Sequence, residues 1–218
     1  MKCPLCLNTN DHPALKGADE RSYHLCGNCK LIFADKAHYL SPEDEKKYYS
    51  THENSIGNEG YVKFLNRIVE PVSAYLNESM HGLDYGCGPG PVVSKLLALK
   101  GIECGDHDPF FCKTEPKGNY DFIISTETFE HFHDPRKELE KISSLLNEGG
   151  ILGIMTELWK AETDFEKWYY TKDPTHVCFY HAETFDYICS EFGFEVIETD
   201  SARVLILRKT GHKTRPFG

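Results

Sequence analysis

Three sets of residues in this chain have types and spacings suited to chemistry. The first is Cys3-Pro4-Leu5-Cys6 with Cys26-Gly27-Asn28-Cys29, two C-x-x-C pairs with nineteen residues between them. Each pair makes a tight turn that aims two thiolates at one point, and four thiolates suit tetrahedral Zn2+. A redox pair or two unrelated turns are the alternatives. The second set is Leu83-Asp84-Tyr85-Gly86-Cys87-Gly88-Pro89-Gly90, with three glycines at alternate positions after a short apolar run. Glycine takes positive φ and lets a ligand come close to the backbone. A following helix offers its unpaired N–H groups, so the turn suits a nucleotide-like cofactor. The third set is Glu127, Glu130, His131 and His133, together with His176 in an aromatic stretch, Trp168 to Tyr180. Carboxylates and imidazoles can move protons near neutral pH. Aromatic side chains can line a pocket for a flat or apolar ligand.

These residues need elements to position them. Between the cysteine pairs there are few large apolar residues, so zinc would supply the folding energy of a ribbon over residues 1–40, with strands at Tyr23 to Cys26 and Leu31 to Phe33. Ser41-Pro42 starts a helix that runs to about Tyr49, with serine as cap and proline at the first position. Residues 51–60 read as a loop, and His52-Glu53-Asn54 can cover a site or simply be solvated. Tyr61 to Leu76 is helical by period, with Val62, Leu65, Ile68, Val69 and Val72 on one face and a possible kink at Pro71. A strand enters the glycine turn, and an amphipathic segment, Pro91 to Lys100, leaves it. Asp134-Pro135 caps a helix that Gly149-Gly150 ends, and Ile151 to Met155 is a strand. Ala182 to Phe192 is a helix, and Gly193 to Ile197 with Ala202 to Leu207 form a closing hairpin.

The glycine turn, Tyr120-Asp121-Phe122-Ile123-Ile124-Ser125, the Glu127-x-x-Glu130-His131 segment and Leu145-Leu146-Asn147-Glu148-Gly149-Gly150 together resemble the class I S-adenosylmethionine-dependent methyltransferases. The G-x-G-x-G spacing departs from the G-x-G-x-x-G of dinucleotide folds. The resemblance covers roughly Met80 to Arg208 and implies an α/β, Rossmann-like sheet over residues 80–218, with residues 41–79 as a helical linker or lid. It implies cofactor contacts from Asp84, Gly86, Cys87, Gly88 and Gly90. It also implies a ribose-binding carboxylate at the end of the second strand, with Asp108-Pro109 the better match and Asp106 the second choice. It places Glu127 near the methionine moiety and Glu130-His131 near the transferred methyl group. His131 is then a candidate base, packing or capping being the alternative, and His176 can orient or deprotonate the acceptor or cap a turn. The sequence departs from the family between Asp108 and Asp121, where the interval is too short and turn-rich for a helix plus a third strand. A reduced sheet edge is expected there, with Phe110 or Phe111 stacking on adenine or packing in the core.

At 218 residues the chain holds one α/β domain and a small module. Its net charge of −10 argues against nucleic acid as partner. The ribbon region is not basic either: residues 1–50 balance seven Lys/Arg against seven Asp/Glu. The one basic cluster, Arg208, Lys209, Lys213 and Arg215, reads as a solvated tail. No apolar run approaches the ~18–20 residues of a membrane span. Nine cysteines without a signal peptide point to the cytoplasm. The expected function is methyl transfer from S-adenosylmethionine to a small-molecule acceptor, leaving S-adenosylhomocysteine. The alternatives are an rRNA or tRNA methyltransferase, and a non-catalytic cofactor-binding protein whose ribbon recruits a partner.

Overall fold

The computed structural model describes residues 1–51 and 54–211. His52 and Glu53 of the expected covering loop, and Lys213 and Arg215 of the basic tail, lie outside the described residues. A six-stranded sheet forms the centre, in the order β5-β4-β6-β7-β10-β9. Strands β4 (His81–Tyr85), β5 (Glu103–His107), β6 (Tyr120–Thr126) and β7 (Leu146–Met155) are parallel. Strand β10 (Val204–Lys209) runs antiparallel between β7 and β9 (Phe194–Thr199), closing the sheet with the expected hairpin. The strand order reverses at β4, so the crevice beyond its carboxyl end is where such sheets hold ligands.

The reduced edge is present. Strand β5 is the last on its side, and residues 109–119 add only an isolated bridge, Asp108 to Cys112. Three helix boundaries differ from the sequence reading. Helix α2 spans Glu59–Ser73, because Asn58 caps it with a bond from the Tyr61 N–H, and Pro71 falls in its last turn. Helix α3 after the glycine turn is only Val93–Ala98, and its N-cap, Val92, offers no side-chain cap hydrogen bond. Helix α4, Pro135–Leu145, ends before Gly149-Gly150, which lie inside β7. There the register with β6 jumps from Tyr120–Leu146 to Phe122–Ile151, and Gly149 takes φ +76° to admit the extra residues.

Each face of the sheet has its own core. On one face α2 buries Leu65, Ile68, Val69 and Val72 against Phe122, Ile124, Met155 and Ile206. On the other, α4 and α5 (Ala182–Phe192) pack over Ile123, Leu152 and Leu207, and this core continues without a break into the N-terminal ribbon through Phe129, Phe179, Tyr23, Leu31 and Phe33. The ribbon strands β1 (Ala14–Lys16), β2 (Ser22–Leu25) and β3 (Ile32–Ala34) are antiparallel. A fourth strand, β8 (Cys178–Phe179), comes from the far end of the chain and pairs with β3. Phe179 is fully buried between the two parts. Truncating such a phenylalanine costs about 3–5 kcal/mol, so ribbon and sheet stabilise one another. Helix α1 (Pro42–Tyr49), capped by Ser41 as expected, then carries two tyrosines towards the crevice.

Candidate active site

A cavity of about 780 Å3 opens beyond the carboxyl ends of β4, β5 and β6. Its first wall is the glycine turn. Gly86 has φ +90°, and a Cβ there would lie 2.4 Å from the Thr128 side chain. Gly88 has φ +66°, and a Cβ on Gly90 would meet the Asn54 carbonyl at 2.3 Å. The backbone N–H groups of Gly86 and Cys87 donate to the His107 carbonyl at 2.8 and 3.1 Å, tying the turn to the neighbouring strand. Asp108 completes this wall. Its Oδ2 accepts from the Gly88 N–H at 3.1 Å, and its Oδ1 accepts from the N–H groups of Phe110 and Phe111 at 2.8 and 3.0 Å.

Cys87, Pro109, Phe110 and Phe111 also face the cavity. Neither phenylalanine belongs to a hydrophobic core cluster, which leaves both rings available to a ligand. Asp84 stands behind the turn at 1% exposure, paired in register with Asp106. The Oδ1 atoms of both are buried with no hydrogen-bond partner among the described residues. Burial, and then the charges of Asp106 and Asp108, push the Asp84 carboxyl well above the usual carboxylate range. Of the two candidate ribose carboxylates, only Asp108 lines the cavity.

The same cavity is also lined by Glu127, Glu130, His131 and His176. Glu127 sits at φ +48°, a left-handed conformation costly for a non-glycine residue. Its N–H donates to the Met155 carbonyl at 2.7 Å, and Arg203 Nη1 binds both its carboxylate oxygens at 2.8 and 2.7 Å. Arg203 also binds Glu157 and the Tyr169 hydroxyl. Glu130 is fully buried and accepts from the Tyr170 and Thr156 hydroxyls at 2.5 and 2.8 Å. Burial raises the pKa of both Glu127 and Glu130; their mutual repulsion adds to the rise at Glu127, and Arg203 lowers both.

The two histidine rings lie 4.8 Å apart. His131 Nδ1 bonds the Thr175 carbonyl at 3.1 Å and His176 Nδ1 bonds the Tyr170 carbonyl at 2.7 Å. A carbonyl only accepts, so both Nδ1 atoms carry the proton and each neutral ring keeps its lone pair on Nε2. Burial lowers both pKa values, that of His176 to about 3, so both rings are neutral at pH 7. His133 lines the same cavity, where its Nε2 lies 2.8 Å from Glu45 Oε1 and its ring stacks on Tyr39.

Several of these residues carry no sequence signal of their own. Tyr49 packs edge-on to His131 and against Phe110, bridging the two walls. Arg203 does carry one, as a lone charge at the start of an apolar strand, 7% exposed. The ribbon contributes Arg21. Its guanidinium donates to the carbonyls of Pro174, Thr171 and Asp173 at 2.8, 3.1 and 2.7 Å, and so holds the loop that carries His176. The Ala34 N–H adds a bond to the Val177 carbonyl at 2.8 Å.

The four ribbon cysteines converge. Cys3 and Cys29 sulfurs are 3.7 Å apart, Cys6 and Cys26 sulfurs 3.4 Å, and all four lie within 4.8 Å of one another. A tetrahedral Zn2+ with bonds of about 2.3 Å separates its sulfurs by about 3.8 Å, so the set fits the ion. The two turns match. Leu7 and Lys30, each following the second cysteine of its pair, take φ +62° and +59°, and their N–H groups donate to the carbonyls of Cys3 and Cys26 at 3.1 and 2.9 Å.

A parallel sheet with an antiparallel closing hairpin, and a glycine turn at its switch point, define the class I S-adenosylmethionine-dependent methyltransferase fold. A family model described as a methyltransferase domain matches residues 58–199, and the chain belongs to that family. No curated protein matches the chain at a significant level. Among solved structures, 1,6-didemethyltoxoflavin-N1-methyltransferase of Burkholderia thailandensis, with 1,6-didemethyltoxoflavin and S-adenosylhomocysteine bound, superposes with a TM-score of 0.54 at 14% identity, over 85% of this chain and 98% of that one. Magnesium protoporphyrin IX methyltransferase of Synechocystis, with S-adenosylmethionine bound, gives 0.49 at 16% identity, over 80% of this chain and 95% of that one. At 14% identity the first of these likenesses is one of fold alone.

Proposed function

We propose that the protein transfers a methyl group from S-adenosylmethionine to a small-molecule acceptor, with S-adenosylhomocysteine as the second product. The observation that carries this reading is that one cavity has both walls the reaction needs. The glycine turn and Asp108 form one side, and the Glu130, His131 and His176 cluster the other. S-adenosylmethionine supplies a methyl group on a sulfonium centre, and transfer is an in-line displacement. Gly86 and Gly88 admit the cofactor close to the backbone, and Asp108 accepts hydrogen bonds from the ribose hydroxyls. Phe110 and Phe111 offer faces to the adenine. On the far side the aromatic wall of Tyr49 and Tyr170 confines the acceptor, and alignment supplies most of the rate. The Nε2 lone pair of His131 takes the acceptor's proton where one must leave.

A net charge of −10 and an acidic wall support a small acceptor over a nucleic acid. No described helix is long and apolar enough to cross a membrane, and nine free cysteines support a reducing, cytoplasmic setting. Cys3, Cys6, Cys26 and Cys29 would hold a structural Zn2+.

Calorimetric titration with S-adenosylhomocysteine tests the cofactor half, with micromolar binding expected. His131→Ala is expected to keep that binding and to slow transfer of labelled methyl groups into a metabolite extract. Equal loss of both would assign His131 a structural role instead.

A further inference from the structure

Glu130, His131 and His176 each offer one ligand atom, the three atoms lie within 4.8 Å of one another, and all three residues line the cavity. Their orientation is set from behind. Both imidazoles spend their Nδ1 protons on backbone carbonyls and keep Nε2 free. The Glu130 oxygens each accept one hydroxyl proton, from Tyr170 and from Thr156, and each retains a lone pair. Such outer partners fix the tautomer and the direction of ligating side chains in metal sites. Charge points the same way. Three carboxylates, Glu127, Glu130 and Glu157, gather around this wall, and Arg203 is committed to Glu127 and Glu157. Glu130 is fully buried, its side-chain partners are two neutral hydroxyls, and a cation at this point would stabilise its ionised form. Asp173 adds a further carboxylate oxygen 3.8 Å from His176 Nε2.

We propose that Glu130 and the Nε2 atoms of His131 and His176 bind one divalent transition-metal ion, separate from the ribbon zinc. Two imidazoles and one carboxylate suit Mn2+, Fe2+, Co2+ or Zn2+ and leave coordination positions open. The ligand that fits an open position beside a methyl donor is an acceptor hydroxyl. This second half rests on the methyl-transfer reading above. Coordination lowers the pKa of the bound hydroxyl, and its proton passes to water. The oxygen lone pair then forms the bond to the methyl carbon, and the pair of the breaking carbon–sulfur bond stays on sulfur. With the ion bound, the His131 lone pair is a ligand and water replaces it as the proton acceptor; the rest of the methyl-transfer reading is unchanged.

The test is a titration of the zinc-loaded full chain with Co2+ alone, followed by calorimetry and visible absorption, with no cofactor present. One ion per chain is expected, with d–d bands and no thiolate charge transfer. Glu130→Gln, His131→Ala and His176→Ala should each weaken it by about tenfold or more, the scale on which even outer partners of metal ligands act. In the unmodified chain, paramagnetic shifts of two histidine rings would identify the site without any substitution. No ion bound at millimolar Co2+, or binding that leaves both rings unshifted and all three variants unaffected, would overturn the proposal. S-adenosylhomocysteine titration of the same samples reports separately on the methyl-transfer reading.

Discussion

The wall proposed for the cofactor draws on two adjacent strands, whereas the wall proposed for the acceptor draws on segments scattered from the ribbon to the approach to β10. Gly86 to Gly88 and His107 to Phe111 are neighbours across β4 and β5, and backbone N–H groups make the bonds between them. Glu130 and His131 follow β6, His176 precedes β8, Arg203 precedes β10, Tyr49 ends α1, and Arg21 reaches in from the ribbon. Side chains make most of those bonds. A wall held by backbone tolerates most substitutions and fails where a glycine or the one carboxylate is lost. A wall held by side chains can be broken from a distance, and the ribbon is the place to break it.

The largest expected effect comes from the zinc proposed for the ribbon. Cys26→Ser should release zinc and destabilise the whole chain, because the two parts share one core through Phe179 and Tyr23. Structural zinc contributes on the order of 10 kcal/mol in small modules, so a large fall in melting temperature is expected by scanning calorimetry. A small, separate ribbon transition beside an unchanged main one would show that the ribbon folds apart.

Next comes the cofactor wall. Asp108→Ala removes both the proposed ribose acceptor and the anchor of the Gly88, Phe110 and Phe111 N–H groups. Hydrogen bonds to charged groups are worth about 1.5–3 kcal/mol, which corresponds to a loss of roughly tenfold to a hundredfold in S-adenosylhomocysteine affinity. Asp106→Ala, outside the cavity, should cost less; the reverse order in a titration would move the ribose site.

The smallest and sharpest contrast is Arg21→Ala. It removes the donor to three carbonyls of the His176 loop and touches nothing on the cofactor wall. Methyl transfer should fall several-fold while S-adenosylhomocysteine affinity stays unchanged, and Arg21→Lys should restore little, since lysine lacks the planar fork that reaches three acceptors. Loss of cofactor affinity in Arg21→Ala would merge the two walls into one unit.

What could be read along the chain was whatever chemistry is local. The C-x-x-C pairs, the glycine turn, Asp108-Pro109 and Glu130-His131 each depend on residues a few positions apart, and the short interval before Asp121 already implied a truncated sheet edge. Backbone conformation and capping act over that same range, so α1, the closing hairpin and the reduced edge were legible too. Less legible were ends set by longer contacts, such as β7 running back through Gly149-Gly150, which depends on its register with β6. Only the tertiary structure decided the acceptor wall. His131 and His176 meet because β6 and the β8 loop are brought to one crevice, and β8 joins the ribbon sheet because an edge strand there pairs with any extended segment the fold delivers. Arg203 faces Glu127 and Glu157 for the same reason: a buried guanidinium needs carboxylates that the sequence places far away and the sheet places beside it.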